Sequence, residues 1–408
     1  MNVDTMRFID LRCGVPLTWI ATWLVKLSSV FVPSGKTKSR NILFLELSEM
    51  GSAILVDPAM RKAREAFGAE LFFCVFSKNR ESLFLLRTVD ERNIFVIRED
   101  NLAHLLTDTM KFFTWTREKN IDTVIDLELF SRFTALLTGL SGAKRRVGFF
   151  AFHNEGLYRG DMLTHKVAYN PHIHIAKNFI ALVNALLSDN GEIPYSKTAV
   201  TDKEIALTKV SPGDGEKDRV WKKVKEQYPS LDKGAHHIVL MNPNASQLLP
   251  QRRWPLAKCA GLIGMVLGYD ARAVVLITGS PAEYDEMQAL VNGVYNPRCV
   301  NFSGKVEFAE LPALYSLATL MVTNDSGPAH FSSITDMPTF ILYGPETPKL
   351  YGSLGNAFPL YAGLACSPCV TAANHRKTPC RDNVCLQVIS EKEVFDAIKP
   401  LLKTKAGK

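Results

Sequence analysis

Two runs of short apolar strands alternating with helices, one in each half of the chain, restrict most sharply what this sequence can fold into. From Asn41 the first run reads as a strand at 42–45, a loop at 48–52 and a helix at 58–67 capped by Asp57 with Pro58 in its first turn. Strands at 71–76, 94–97 and 123–127 follow, with helices between them. The second run reads as strands at 238–241, 273–277, 299–302 and 318–322, separated by helices at 256–267, 281–294 and 310–318. Strand–helix alternation of this kind implies a parallel, doubly wound sheet, and ligands bind such sheets beyond the C-terminal strand ends. The loops at 48–52 and 128–132 are therefore the ones to watch in the first half. At 408 residues, two domains are expected. Pro194, Pro212, Gly213 and Gly215 mark a linker. The chain divides on this reading into 1–40, 41–195, 196–388 and a final helix at 389–408.

Hydrophobic residues at 47% and charged residues at 22% suit a protein with real cores. The net charge of +7 is mild and dispersed, compatible with anionic lipid or phosphorylated partners. No nucleic-acid-binding motif is present, so no nucleic-acid partner is expected. Cys13, Cys74, Cys259 and Cys299 are scattered, which suits a reducing, cytoplasmic compartment.

Residues 15–32 are largely apolar but interrupted by Lys26 and small hydroxyl residues, which makes them marginal as a membrane span. Trp19 and Trp23, followed by Lys36, Lys38 and Arg40, predict an N-terminal amphipathic helix lying in the membrane interface, with the basic residues near headgroups. The alternative is a helix packed on the protein's own domain. Residues 144–178 carry Arg145, Arg146 and four of the nine histidines, but no compact ligand spacing. They read as a substrate-facing or lipid-facing surface that recognises an anionic acceptor, with a solvated loop as the alternative.

In the second half, three loops stand at strand ends. Asn242-Pro243-Asn244-Ala245-Ser246 leads towards Arg252-Arg253-Trp254-Pro255. Thr278-Gly279-Ser280-Pro281-Ala282-Glu283 contains Ser280-x-x-Glu283, which is also a capping box. Val322-Thr323-Asn324-Asp325-Ser326-Gly327-Pro328-Ala329-His330 runs from a buried strand through a polar turn into a helix N-terminus, a ready anion site. A capped helix with no ligand is the plainer reading of the same nine residues. Towards the C-terminus, Cys366, Cys369, Cys380 and Cys385 have a spacing that could hold a structural zinc, or leave free thiols or disulfides. Ser390-x-x-Glu393 then caps a helix with one apolar face.

Asp325-Ser326-Gly327-Pro328-Ala329-His330, with Thr339-Phe340-Ile341-Leu342-Tyr343-Gly344-Pro345 behind it, resembles the signature of glycosyltransferase family 9, which includes the lipopolysaccharide heptosyltransferases. The resemblance extends, with gaps, from about Asn41 to the C-terminus. It implies the α/β GT-B fold, two Rossmann-like domains facing across a cleft, in which the final helix often crosses back onto the first domain. It also implies inverting, metal-independent transfer from a nucleotide-diphospho-sugar, ADP- or UDP-linked, to a lipid-linked saccharide, with no catalytic cofactor, on the cytoplasmic face of the inner membrane. On the family pattern Arg252 contacts the donor phosphates and Glu283 the ribose. Ser326 and Gly327 hold the diphosphate, His330 reaches the phosphate or sugar, and Asp325 orients the loop or meets sugar hydroxyls. The family's general base is an Asp directly after the Gly of the first loop. Here Gly51 is followed by Ser52, whose hydroxyl cannot serve. Glu128 and Glu49 are the nearby carboxylates that could. A non-catalytic nucleotide-sugar-binding protein, or an epimerase of the same fold, are the alternatives.

Overall fold

The computed structural model describes residues 3–31, 38–47, 51–153, 156–188, 191–246, 249–371, 374 and 376–402. The chain forms two compact units, Met1–Ala206 and Leu207–Lys408. The final helix belongs to the second unit rather than standing apart.

The first unit contains strands β1 (Asn41–Leu45), β2 (Glu70–Phe76), β3 (Ile94–Ile97), β4 (Thr123–Asp126), β5 (Arg145–Phe149) and β6 (His165–Val167). Its helices are α1 (Val3–Arg12), α2 (Gly14–Phe31), α3 (Ser52–Leu55), α4 (Asp57–Phe67), α5 (Leu102–Glu118), α6 (Arg132–Leu140) and α7 (Ile175–Leu187). The second unit has β7 (His237–Asn242), β8 (Ala273–Ile277), β9 (Cys299–Asn301), β10 (Ala318–Asn324), β11 (Thr339–Tyr343) and β12 (Ala357–Tyr361). Its helices are α8 (Asp214–Gln227), α9 (Leu256–Tyr269), α10 (Tyr284–Val294), α11 (Leu311–Leu317), α12 (Gly327–Ser332), α13 (Pro348–Tyr351), α14 (Val384–Gln387) and α15 (Glu391–Leu402).

Each sheet is parallel throughout, ordered β3-β2-β1-β4-β5-β6 in one unit and β12-β11-β10-β7-β8-β9 in the other. The two orders are the same topology twice, and both reverse direction between their first and fourth strands. Those reversal points, β1/β4 and β7/β10, open a crevice at the carboxyl ends of the strands. Central strands buried on both faces explain why the sequence reads as unbroken apolar runs there.

Several local expectations are corrected. Asp57 does not cap α4. Its side chain is buried, pairs with Arg61 at 2.9 Å and accepts a bond from Thr88, while Val56 precedes the helix. Arg145 and Arg146 open β5, at the opposite end of the strand from a ligand crevice, and Arg146 donates to the carbonyls of Met162 (2.7 Å) and Ala143 (2.6 Å). Arg145 donates to Ser39 Oγ and the Leu186 carbonyl. Both guanidinium groups serve the fold, because a buried strand start leaves carbonyls that need donors. The apolar stretch that begins at Val15 corresponds to α2, and a further helix, α1, precedes it across a break at Cys13.

Helix α15 is capped as expected, with Ser390 Oγ accepting from Glu393 N at 3.1 Å. Its Val394, Phe395, Ile398 and Leu402 pack on α9 and β10 within the second unit. Ile398→Ala leaves a cavity beneath α9 and is expected to lower stability by about 3 kcal/mol, read from the denaturant midpoint of the second unit.

Candidate active site

Asn324 ends β10, and its buried amide joins the loops on either side of the second reversal point. Its Nδ2 donates to Pro243 O (2.7 Å), and its Oδ1 accepts from Trp254 N (3.0 Å). Trp254 is itself buried and donates from Nε1 to Ile389 O at 3.1 Å. These bonds fix the segment containing Arg252 beside the turn after β10.

Arg252 lies at the centre of a buried charge cluster. Its Nη2 is 2.6 Å from Glu346 Oε1, and its Nε is 3.6 Å from Asp325 Oδ2. Arg376 approaches the same Glu346 oxygen at 3.5 Å. Burial pushes the Glu346 carboxyl up to about 7; Arg252 opposes that shift and Asp325 adds to it. Burial raises Asp325 as well, again against Arg252. Burial alone would lower Arg252, but the two carboxylates outweigh it and hold its proton more firmly. Sequence reading missed Glu346 and Arg376. Glu346 directly follows the Gly344-Pro345 turn at a strand end beside β10, and that position was a signal. Arg376 had none.

Asp325 stands beside Arg252 without hydrogen-bonding to it: Arg252 Nε and Asp325 Oδ2 are 3.6 Å apart, and neither atom has a hydrogen-bond partner among the described residues. Ser326 and Gly327 are half-exposed at the start of α12, and Ser326 Oγ makes a long contact of 3.3 Å with Asn324 O. A side chain on Gly327 would meet the Phe331 ring at 2.9 Å, so the glycine also has a packing reason inside the fold. His330 is buried one turn into α12. Glu283 sits in the capping box: Ser280 N and Ser280 Oγ both donate to its Oε2, at 2.6 and 2.8 Å. One carboxylate oxygen serves the helix start, as the Ser280-x-x-Glu283 capping box in the sequence predicts.

Around Gly279, at the ends of β7, β8 and β9, three polar atoms converge. Asn244 Nδ2, Ser303 Oγ and Glu283 Oε2 each lie 3.1 Å from where a side chain at Gly279 would begin. Asn244 Nδ2 and Ser303 Oγ are buried and have no hydrogen-bond partner among the described residues. Buried donors left in this way cost free energy unless something else accepts from them. Arg253 holds Asn244 in place through Oδ1 at 3.0 Å.

In the first unit, Glu128 follows β4 and its Oε1 accepts from Leu47 N at 3.0 Å, tying the loops after β1 and β4 together. Beside it Asp126 is buried and paired with Arg159, which also donates to Glu128 O, Ser131 O and Thr134 Oγ1. Burial nonetheless pushes Asp126 up to about 6. Glu49 lies outside the described residues.

The cysteines gather at one end of the second unit, and Cys385 is raised first by burial and then by Cys369, Cys380 and Cys366. Among the described residues, no three His, Cys, Asp or Glu side chains are placed to hold a metal ion. Cys369 Sγ instead contacts Thr378 Oγ1, and Cys380 Sγ contacts Asp382 Oδ1, both at 3.3 Å.

With its pKa above the usual 4.5, Glu346 binds its proton more tightly in the folded chain. Stability is therefore present below that ordinary value and lost as pH rises towards 7. Thermal unfolding across this window is expected to show a decline on the order of 3 kcal/mol that Glu346→Gln removes.

Comparison with known proteins follows the same outline. The profile of glycosyltransferase family 9 (heptosyltransferase) matches residues 110–379. Lipooligosaccharide heptosyltransferase 2 of Campylobacter jejuni is 27% identical over 187 residues, covering 44% of this chain and 56% of that protein. Lipopolysaccharide heptosyltransferase 3 of Escherichia coli is 26% identical over 191 residues, covering 45% and 52%. The chain thus spans about half the length of these curated relatives. The solved structure of E. coli ADP-heptose lipopolysaccharide heptosyltransferase II superposes with a TM-score of 0.67 at 19% identity, over 90% of this chain and 99% of that one. A family 9 glycosyltransferase from Veillonella parvula gives the same score and identity, over 90% and 98%. At such identity the two structures speak for the fold, which is GT-B.

Proposed function

This chain belongs to glycosyltransferase family 9, and from that footing we propose that it transfers a sugar, heptose in the first instance, from an ADP-linked donor to a lipid-linked saccharide. The observation that carries the proposal is the pair of buried, unpartnered groups at Gly279, Asn244 Nδ2 and Ser303 Oγ. They offer hydrogen bonds to a polar ligand at the carboxyl ends of β7, β8 and β9, where a doubly wound sheet takes a nucleotide. Relatives of the same family are named for ADP-heptose and for lipopolysaccharide, which supports that choice of donor and acceptor.

In this reading the diphosphate lies against the Ser326–Gly327 turn, with Arg252 as its cation. Glu346 then competes with the ligand for Arg252, so donor binding exchanges one anion for another. The acceptor hydroxyl gives its proton to a carboxylate, and its oxygen bonds the anomeric carbon from the face opposite the diphosphate. The bond from that carbon to the leaving oxygen breaks, and the nucleoside diphosphate departs with the electron pair. Amides and a guanidinium stabilise the charge that grows on it, so the route is electrostatic and inverting and draws on no metal. Glu128 is assigned the base, in place of the aspartate that Ser52 replaces.

An ADP-linked heptose at 100 times its dissociation constant is expected to stabilise the protein by about 2.7 kcal/mol, and a UDP-linked sugar by less, read as thermal shifts. Equal silence from both donors would overturn the assignment of the site. Glu128→Gln is expected to lower kcat by roughly 100-fold or more while the donor KM stays within about twofold. Unchanged turnover in that variant removes Glu128 as the base.

A further inference from the structure

Helix α2 is built inside out for a helix resting on a water-soluble domain. Gly14, Thr18, Ala21 and Thr22 are the residues it buries against the first unit, with Val25 half-buried behind them. They recur every three or four positions and form one face. The opposite face carries Trp19, Ile20, Trp23, Leu24 and Leu27, all exposed, with Trp19 57%, Trp23 60% and Leu27 62% accessible. Large apolar groups point outward and small or hydroxyl-bearing ones inward, the reverse of the usual surface helix. Phe8 on α1 is exposed too, and α5, which packs beside α6 as α2 does, adds Leu102, Leu106 and Met110 one turn apart. Soluble monomers rarely expose contiguous apolar surface on this scale without using it.

We infer that the bent α1–α2 pair is a monotopic docking surface for a bilayer rich in anionic lipid, fastened to the first unit and lying in the interface without crossing it. Three observations favour lipid over a protein partner. Taken together, α1 and α2 have the length and composition of a span broken by a 46° bend, although neither helix alone is long and apolar enough to cross. The outward face carries two tryptophans, whose amphipathic rings suit the headgroup level. Arg12 closes α1 and exposed Lys38 and Arg40 follow α2, basic side chains that complement an anionic headgroup layer, whereas Arg7 and Lys26 are paired with Asp4 and Asp161.

The fastening is what excludes a crossing. Asp10 accepts from Arg132 N (2.9 Å) and Phe133 N (3.0 Å) and pairs with the Arg132 guanidinium at 3.1 Å, so a carboxylate from α1 caps α6. Thr22 Oγ1 accepts from Asp161 N at 2.8 Å, and Lys26 bridges to Asp161 at 2.6 Å. Helix α2 also lies so close to Gly160 that a side chain there would stand 2.8 Å from Thr18 O. Threading α1 and α2 through hydrocarbon would break all of these contacts and bury their polar partners unpaired.

The test is flotation of the full chain with vesicles rich in phosphatidylglycerol, against vesicles of phosphatidylcholine alone. The full chain is expected to float with the anionic vesicles, with a blue shift in tryptophan emission. The double variant Trp19→Glu/Trp23→Glu is expected to lose at least tenfold in vesicle affinity, with its melting temperature and its ADP-induced thermal shift unchanged. Flotation of the double variant equal to that of the parent overturns the proposal. So does a lipid-free dimer that the double variant converts to monomer in sedimentation, since a second copy would then be the occupant. An N-terminal tag that becomes protected from added protease overturns the non-crossing geometry. Vesicle binding needs neither donor nor acceptor, so this inference and the transferase reading stand or fall separately.

Discussion

The second unit's site depends on one buried amide. Asn324 has no room for error, because it ends a strand at the reversal point of the sheet and must serve loops that arrive from two directions. Its donor side secures the turn after β7 and its acceptor side the backbone of Trp254. Arg252 stands two residues before Trp254 and Asp325 one residue after Asn324, so the same amide sets the spacing of the ion pair. A hydrophobic residue there could fill the volume, but it would leave a carbonyl and an N–H unpaired in the interior.

Much of the fold was legible because a parallel sheet buries both faces of its strands, which writes uninterrupted apolar runs into the chain. The runs around β1, β8 and β10 and the helical periodicity of α9 and α15 survive unchanged in the structure. Polar residues were harder to place, since one side chain can satisfy either a ligand or the backbone. Asp57 looked like a cap and is a buried partner of Arg61 and Thr88; Glu283 could be read for ribose or for a capping box, and its Oε2 takes the capping-box bonds. Arg145 and Arg146 stood out as a basic pair, yet strand direction puts them at the wrong end of the sheet. Glu346 went unnoticed because its role exists only once β10 and β11 lie side by side and bring it to Arg252.

The charge cluster also shows why burial and pairing have to be weighed together. A lone guanidinium in that position would be costly, and so would either carboxylate. Grouped, each makes the next tolerable, at the cost of a carboxyl that holds its proton towards neutral pH. The same balance appears in the first unit, where Asp126 is raised despite the Arg159 guanidinium against it. In both units the pairing sits at strand ends, Asp126 closing β4 and Asp325 directly following β10.

The carboxylate that α1 lends to α6 has a practical corollary. A protein trimmed to begin at β1 is the natural choice for anyone seeking better-behaved material, since it sheds the greasy leader. It would also shed Asp10, leaving two amides at the head of α6 open and Arg132 without its counter-ion. The segment so disturbed runs directly on from Glu128. Such a shortened protein is not the native one minus an appendage, and a weaker fold around α6 would belong to the trimming.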